Sequence, residues 1–338
     1  MIFPGPEWRL IGGYRSIILV AAMLAVAAGA GADSEPLYVK NLSPVAGLFG
    51  LPSQRVAAIQ TPKSVAVALH SSVASHYVSE FDKVEGLNLD GETLRFALEV
   101  RYGLAENWDV QVEVPWLEHS AGNLDSLIDS WHSLWGFTDG GRSDAPRNVL
   151  DYRYAGPEAR FAMLDDASGL GDVSVALSHG FYTRESSAAS LVLGYKFATG
   201  EERDFLGSGA EDGWLALRFS GEHLTDLPLS WHGQLGYLRA GKSELLGDAQ
   251  ERDLWFAGLT MDWAVADAWS ILVQLDAHGA PADSKLTALG DEAILLSLGA
   301  RWAFAPRWSV DLNFIEDVRV ETAPDVTFQA SLRYFGGR

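Results

Sequence analysis

A strict alternation of apolar and polar residues recurs from about residue 63 to the end of the chain. In the clearest stretch every second residue is apolar, namely Leu94, Phe96, Leu98, Val100 and Tyr102. The residues between them are mostly charged, as at Arg95, Glu99 and Arg101. Because successive side chains of a strand point to opposite faces, such a stretch predicts a β-strand with one apolar face.

Twelve stretches of this kind follow one another between Val65 and Tyr334. The mean hydropathy of +0.03 argues against a bundle of membrane helices. It suits a membrane barrel, in which only every second strand residue faces lipid. The sequence therefore predicts an all-β fold, a transmembrane antiparallel β-barrel of about 12 strands.

The lengths of the predicted connections support a membrane barrel. Short connections fall at 103–107, 183–187, 223–228, 264–268 and 305–307. Longer ones alternate with them, at 79–91, 118–170, 198–212, 240–252, 279–291 and 317–325. Outer-membrane barrels have short periplasmic turns and long external loops. We therefore expect an outer-membrane protein with both termini in the periplasm.

Aromatic residues stand near the ends of the predicted strands. Trp108 and Trp116 are eight residues apart on one face, as are Trp255 and Trp263. Eight residues at ~3.3 Å each span roughly 26 Å along a strand. A tilt of ~40° reduces this to about 20 Å of height, close to the ~25 Å apolar band between aromatic girdles. The predicted aromatic girdle consists of Tyr102, Trp108, Trp116, Trp255, Trp263, Trp269, Trp302, Trp308 and Tyr334.

The chain divides into three parts. Residues 1–32 have Arg9 and Arg15, an apolar run at 17–28 and small residues at 30–32, which predicts a cleavable signal peptide. Residues 33–61 contain three prolines and precede the first strand, so we expect a periplasmic lead or a plug segment. Residues 62–338 form the predicted barrel.

The connection at 118–170 is the longest. Apolar residues between Leu124 and Trp135 have helical spacing, which predicts a short helix between the third and fourth strands. This helix could lie on the rim or enter the lumen as a constriction. The candidate constriction residues are Asp129, Trp131, His132 and Arg142. Residues 148–164 could form a small hairpin around Gly156 and Pro157.

The inward face of the predicted strands is charged. By strand parity the lumen-lining residues are Arg95, Glu99, Arg101, Asp109, Glu113, Lys196, Arg218, Asp276, Arg301, Asp311 and Arg333. Both signs occur, so these residues could line a narrow pore or pair across strands and fill the interior. Twelve strands lie between the filled eight-stranded barrels and the open channels of sixteen or more, and the sequence leaves both readings open.

The chain contains no evident catalytic, cofactor or metal motif. It has no cysteine, and its net charge of −20 argues against nucleic-acid binding. Asp129 and His132 share a helical face but make only two possible metal ligands. A lipolytic site would place a Ser–His pair on the lipid face near the outer leaflet, whereas the outward-facing His179 is predicted at the periplasmic end. His70, His76, His232 and His278 are predicted to face inward.

Three stretches resemble an uncharacterised bacterial outer-membrane family, domain of unknown function 3187. They are residues 36–44 with 50–52, residues 124–142, and the Gly169-Leu170-Gly171-Asp172 run before a strand. The resemblance covers essentially the whole chain after the signal peptide. It implies an outer-membrane barrel and no known activity.

These observations predict a barrel without enzymatic activity, either a narrow channel for small solutes or ions or a plugged structural barrel. Alternatives are an enzyme that modifies lipid or lipopolysaccharide, and a surface adhesin or receptor. Expected partners are the bilayer, lipopolysaccharide, and small solutes or divalent cations, with no cofactor. Residues 329–335 resemble the C-terminal signal read by the barrel-assembly machinery, which is a further expected partner.

Overall fold

The computed structural model describes residues 34–122, 148–222, 227–319 and 321–336. Its strands are β1 (Val65–Phe81), β2 (Gly86–Ala105), β3 (Trp108–Ser120), β4 (Asp151–Ala155), β5 (Arg160–Met163), β6 (Ala167–Leu170), β7 (Ser174–Arg184), β8 (Ser187–Lys196), β9 (Asp212–Gly221), β10 (Leu229–Arg239), β11 (Asp253–Ala266), β12 (Trp269–His278), β13 (Ala293–Ala305), β14 (Trp308–Asp317) and β15 (Val326–Gly336). A four-residue helix, Thr287–Gly290, lies before β13.

Twelve long strands close into an antiparallel barrel, as predicted. Going round the wall the order is β1, β2, β3, β7 to β15, and back to β1. The closing seam pairs β1 with β15 from Val65 opposite Gly336 to Ser75 opposite Val326. Every long strand therefore has two partners, so the wall has no open edge.

The three short strands belong to the longest connection. β4 and β5 form the predicted small hairpin, which extends the sheet from the protruding end of β2. β6 pairs with β3 above the β3–β7 ladder, and three residues, 171–173, separate it from β7. Because Glu113 pairs with Ser174 while Trp116 pairs with Leu170, one extra residue is accommodated there as a bulge.

The alternation predicted from sequence separates the two faces of the wall. Outward residues such as Leu193 and Leu312 are each 60% exposed, whereas inward Arg218 is 2% exposed. In a membrane the outward side chains would contact lipid. No helix among the described residues is long and apolar enough to span a membrane.

The two ends of the barrel differ. At one end, the short-turn end, five brief connections join the strands, for example the two residues between β2 and β3. The other, the long-loop end, carries the remaining six connections. One prediction here is wrong: the expected long connection 79–91 is a turn of residues 82–85, because β1 and β2 both continue as paired strands to Phe81 and Gly86. Asp82 closes this turn by accepting hydrogen bonds from the amides of Val84 and Glu85.

Residues 34–61, hereafter the luminal segment, lie inside the barrel and form no strand. The segment begins near the short-turn end, where Ser34 contacts Asp262 on β11. It reaches the long-loop end, where Gly50 contacts Asp212, and returns to place Gln60 against Asp109. The sequence left a periplasmic lead and a plug as alternatives for this region, and the structure places it in the lumen.

The long-loop end is covered by an apolar cluster, hereafter the apolar cap. It includes the tip of the luminal segment, the β4–β5 hairpin and three loops: Val45, Leu48, Phe49, Leu150, Tyr152, Tyr154, Phe161, Met163, Phe205, Leu246, Leu286 and Leu289. The alternating residues of β4 and β5 turn Tyr152, Tyr154, Phe161 and Met163 to one face, which packs into this cluster. The cap therefore joins the loops of the long-loop end to the luminal segment.

Several predicted features lie outside the described residues. They are the signal peptide, the short helix and the candidate constriction residues Asp129, Trp131, His132 and Arg142.

Candidate functional site

The barrel interior around the luminal segment is the candidate functional site. At the short-turn end, both limbs of the segment meet at His232. Ser34 Oγ donates a hydrogen bond to Asp262 (2.9 Å) and therefore accepts one from His232 Nε2 (2.8 Å). The Ala57 amide donates to Ser220 Oγ (2.9 Å), whose hydroxyl contacts His232 Nδ1 (2.9 Å). One histidine thus links the beginning and the end of the segment to the wall.

A second histidine holds the segment at the long-loop end. His278 Nδ1 donates to the Gly279 carbonyl (2.8 Å), so its Nε2 accepts a hydrogen bond from the Asn41 amide (3.0 Å). Asn41 also donates to the Thr322 carbonyl and accepts from the Ser43 amide, each at 3.0 Å. These two bonds define the orientation of the Asn41 amide, and His278 is therefore neutral in this arrangement.

Tyr38 lies at the middle of the lumen. Its hydroxyl donates to Glu113 Oε1 (3.0 Å) and accepts a hydrogen bond from Arg95. Its ring stacks on His70, with centroids 3.8 Å apart and planes 8° from parallel. The Arg55 guanidinium lies 5.2 Å from the Tyr38 ring centroid, within the range of cation–π attraction. These contacts bury Tyr38 completely.

Arg55 of the luminal segment forms an ion pair with Glu99 on β2. Its Nε lies 3.1 Å from both carboxylate oxygens of Glu99, and a second guanidinium nitrogen also donates to this carboxylate. The neighbouring Gln54 reaches across to β12 and donates to Asp276 (2.8 Å) and to the Leu275 carbonyl (3.0 Å). Adjacent residues of the segment therefore bind strands on nearly opposite sides of the barrel.

Other ion pairs form within the wall itself. Asp311 accepts hydrogen bonds from Arg301 and Arg333, each at 2.7 Å. Arg101 pairs with Asp109 at 2.9 Å. All five side chains are at least nine-tenths buried. Removing one partner of such a pair costs about 3–5 kcal/mol, because it leaves an uncompensated buried charge.

The structure places the predicted lumen-lining residues inside the barrel. Ten of them are less than a tenth exposed: Arg95, Glu99, Arg101, Asp109, Glu113, Lys196, Arg218, Arg301, Asp311 and Arg333. Asp276 also faces inward, against Gln54 and Gln274. Most contact one another or the luminal segment rather than open space. Lys196 differs from the rest, because it lies at the long-loop end between Asp172 (2.6 Å) and Asp212 (3.3 Å).

The inward histidines are buried, and none reaches the outer surface. His76 and His119 share Thr93, each at 2.9 Å, beneath the apolar cap. The outward-facing His179 lies against Trp108, with ring centroids 4.3 Å apart, at the short-turn end. In the Ser34–His232 pair the acid binds the serine rather than the histidine, so these groups lack the order of a hydrolytic triad.

The predicted girdle residues lie on the outer face at two levels. Trp116 and Trp255 stand toward the long-loop end, and Tyr102, Trp108, Trp263, Trp269, Trp302, Trp308 and Tyr334 toward the short-turn end. Some are in mutual contact: Trp269 and Trp302 stack with centroids 5.7 Å apart, and Trp308 lies 4.9 Å from Tyr334.

Little empty space remains around the segment. A cavity of about 110 Å³ borders residues 39–53 near the long-loop end and reaches Arg95, Glu113, Trp214 and Phe256. Toward the short-turn end a space of only about 20 Å³ lies near Glu35 and Arg333. Within the described part of the chain, no three His, Asp or Glu side chains are arranged to hold a metal ion.

Sequence reasoning missed the contacts that the luminal segment makes. Strand parity identified Glu99 as inward-facing, but its partner Arg55 is 44 residues earlier, in a region without periodic pattern. One signal was available, because inward glycines interrupt several strands, at Gly103, Gly180, Gly258 and Gly299. Glycine inside a strand often marks the close approach of another chain segment.

Three solved structures are similar to this chain over most of its length. The COG4313 outer membrane channel from Pseudomonas putida F1 is 13% identical, with a TM-score of 0.53 over 83% of this chain and 97% of that one. The NanC porin and the toluene transporter TbuX from Ralstonia pickettii are 8% and 10% identical, with TM-scores of 0.45 and 0.42. They cover 81% and 88% of this chain, and 100% and 98% of their own. The first of these similarities shows the fold of an outer-membrane β-barrel.

No curated protein matches this sequence. The family described as "Protein of unknown function (DUF3187)" matches residues 15–335, nearly the whole chain. The protein therefore belongs to the DUF3187 family.

Proposed function

We propose that the protein is an outer-membrane channel for small solutes whose lumen is closed at rest by the luminal segment. The path of residues 34–61 carries this proposal, because they enter the lumen at the short-turn end, reach the apolar cap and return. Their side chains bind strands around most of the ring, from β2 to β12. Solute passage then requires the segment to move.

The way in which the segment is attached supports reversible displacement. Its hydrogen bonds to the wall use a side chain on at least one partner, as in the Ala57–Ser220 and Leu37–Gln274 contacts. The wall strands instead pair through continuous backbone ladders, including the closing β1–β15 seam. Displacing the segment therefore breaks no ladder of the barrel.

We further propose that the short-turn end faces the periplasm. Both described chain ends lie there, since β1 begins and β15 ends opposite each other. The longer loops then face outward, as in other outer-membrane barrels. The segment would be reached from the periplasm through residue 34, while its tip would contact the external loops in the apolar cap.

Deletion of residues 34–61 tests whether the segment closes the lumen. The full mature chain is expected to be largely silent in planar bilayers, and the deletion variant is expected to show discrete conductance steps, because the lumen is then open. Correct folding of both proteins is checked by heat-modifiable electrophoretic mobility. Silence of a folded deletion variant would favour a plugged structural barrel.

A disulfide between segment and wall provides the opposite test. The chain has no cysteine, so A57C/S220C introduces the one possible intramolecular bridge, at a contact where the Ala57 amide lies 2.9 Å from Ser220 Oγ. We expect the oxidised double variant to lack the rare openings of the parent, and reductant to restore them. S220C alone is the control. Openings that are as frequent before reduction as after it would contradict closure by the segment.

A further inference from the structure

The charges inside the barrel depend unequally on the luminal segment. Four wall arginines have a carboxylate partner on the wall: Arg95 with Glu113 (2.7 Å), Arg101 with Asp109 (2.9 Å), and Arg301 and Arg333 with Asp311 (2.7 Å each). The fifth, Arg218, donates to Gln234 (2.9 Å), which also belongs to the wall. Removing the segment would leave these pairs in place.

Three wall carboxylates, those of Glu99, Glu113 and Asp276, depend more strongly on contacts with the segment. Among the described residues, the only cation within ion-pair distance of Glu99 is Arg55 of the segment. Glu113 shares its charge with Lys40 of the segment (3.6 Å) as well as with Arg95. In the part of the chain that the structure describes, Asp276 contacts no cation, and it accepts hydrogen bonds from the amides of Gln54 and Gln274, each at 2.8 Å. Loss of the segment would therefore leave Glu99 without its ion-pair partner, Glu113 with Arg95 alone, and Asp276 without the Gln54 hydrogen bond.

The carboxylate of Glu99 already binds an organic cation, the guanidinium of Arg55 in the luminal segment. The guanidinium of Arg55 binds the carboxylate through two of its nitrogens, and its side chain is 1% exposed. Gln111 donates to the same carboxylate from β3 (3.0 Å) and holds it in place when the guanidinium is absent. A planar guanidinium matches a carboxylate in shape and charge.

We propose that Glu99 is a recognition site for small organic cations that carry a guanidinium or primary ammonium group, and that Arg55 occupies it in the closed channel. This rests on the proposed function, since the solute and Arg55 would compete for one carboxylate. An incoming cation would replace the strongest electrostatic contact of the returning limb. Recognition of the solute would thereby favour displacement of the segment.

Arg55→Ala in the full mature chain tests this site directly. We expect ethylguanidinium to bind the variant saturably and to raise its thermal unfolding midpoint, because it restores the lost ion pair. N-ethylurea, of similar shape but uncharged, and KCl at the same concentration are the matched ligand controls. The wild-type protein is expected to bind ethylguanidinium more weakly than the variant does, since Arg55 competes for the carboxylate.

The double variant R55A/E99Q identifies the carboxylate. Neutralising Glu99 is expected to weaken ethylguanidinium binding by about tenfold or more, the usual loss for a charge-assisted pair. Equal stabilisation by ethylguanidinium and N-ethylurea, or unchanged binding in R55A/E99Q, would overturn the proposal. Ligand-dependent refolding of R55A, with no refolding in N-ethylurea, would support it if the variant does not fold alone.

Ion selectivity gives a second measurement that does not depend on R55A. The barrel lacking residues 34–61 is expected to prefer cations in a KCl gradient, and E99Q should reduce this preference while the outer-surface D253N should not. Anion preference would contradict the inference. If the deletion variant does not conduct, the channel function fails, and ethylguanidinium binding to R55A still decides whether the cation site exists.

Discussion

Inward-facing glycines of the wall, Gly103, Gly180, Gly258 and Gly299, leave room for the luminal segment. A Cβ added at Gly258 would lie 2.3 Å from Gln54 Nε2, and one at Gly180 would lie 2.7 Å from Ile59. At Gly103 it would lie 2.0 Å from the Thr61 carbonyl oxygen, where the segment leaves the lumen and joins β1. A larger residue must displace a side chain of the segment at Gly258 and Gly180, and the segment backbone or the strand at Gly103.

We therefore expect Gly258→Leu to increase channel opening. Leucine would occupy the space of the Gln54 side chain, which donates to Asp276 and accepts from Thr260 (3.1 Å). Gly233→Leu is the matched control, because this neighbouring glycine faces outward and a Cβ there meets nothing closer than 3.9 Å. The measurement is open probability in planar bilayers. Equal open probabilities for the two variants would show that the inward glycine does not control the segment.

At the scale of elements, the bulge between β6 and β7 organises the long-loop end. It turns Asp172 inward, where its carboxylate accepts hydrogen bonds from the amides of Thr199 (3.0 Å), Gly200 (2.8 Å) and Ser208 (3.0 Å). Lys196 donates to it as well, at 2.6 Å. These contacts give the Gly-Leu-Gly-Asp run a structural role. The break between β6 and β7 places the Asp172 carboxylate where it binds amides of the β8–β9 loop.

Asp172→Ala is expected to lower the free energy of unfolding by about 3 kcal/mol, since several hydrogen bonds to a charged group are lost together. The β8–β9 loop should also become sensitive to protease. Urea unfolding in detergent micelles and limited proteolysis measure the two effects. Asp248→Ala is the control, because Asp248 forms an exposed loop ion pair with Lys242 and should have little effect. Unchanged protease resistance in D172A would contradict the role of the bulge.

At the scale of the whole molecule, the outer surface and the two different ends determine how the barrel sits in a membrane. The apolar outward residues and the two levels of aromatic residues suit a single orientation across a bilayer. The short-turn end carries both described chain ends, and the long-loop end carries the apolar cap. The proposed periplasmic location of the short-turn end follows from this asymmetry.

Single cysteines test the orientation in intact cells. We expect a membrane-impermeant maleimide to label R203C, in the β8–β9 loop, and to label E106C, in the β2–β3 turn, only after the outer membrane is permeabilised. The parent chain, which lacks cysteine, is the unlabelled control. Both Arg203 and Glu106 are exposed, so access depends on the side of the membrane. The reverse labelling pattern would place the long loops in the periplasm.

The sequence by itself determined the strands, their inward and outward faces and the twelve-stranded barrel. Alternation is a local property, so Leu94 to Tyr102 and the charged residues between them could be assigned to faces without knowledge of any partner strand. The predicted loop at 79–91 is wrong because β1 and β2 continue beyond the apolar band as paired strands with outward polar residues such as Asn88.

Only the tertiary structure decided the path of the luminal segment. Residues 34–61 form no strand and only one turn of 3-10 helix, Ala46–Leu48. Their partners are distant in sequence, with Arg55 contacting Glu99 and Gln54 contacting Asp276. Strand parity could show that Glu99 and Asp276 face inward. Whether their carboxylates contact water or another part of the chain depends on what fills the closed barrel. That is a property of the three-dimensional enclosure, which alternation along one strand does not encode.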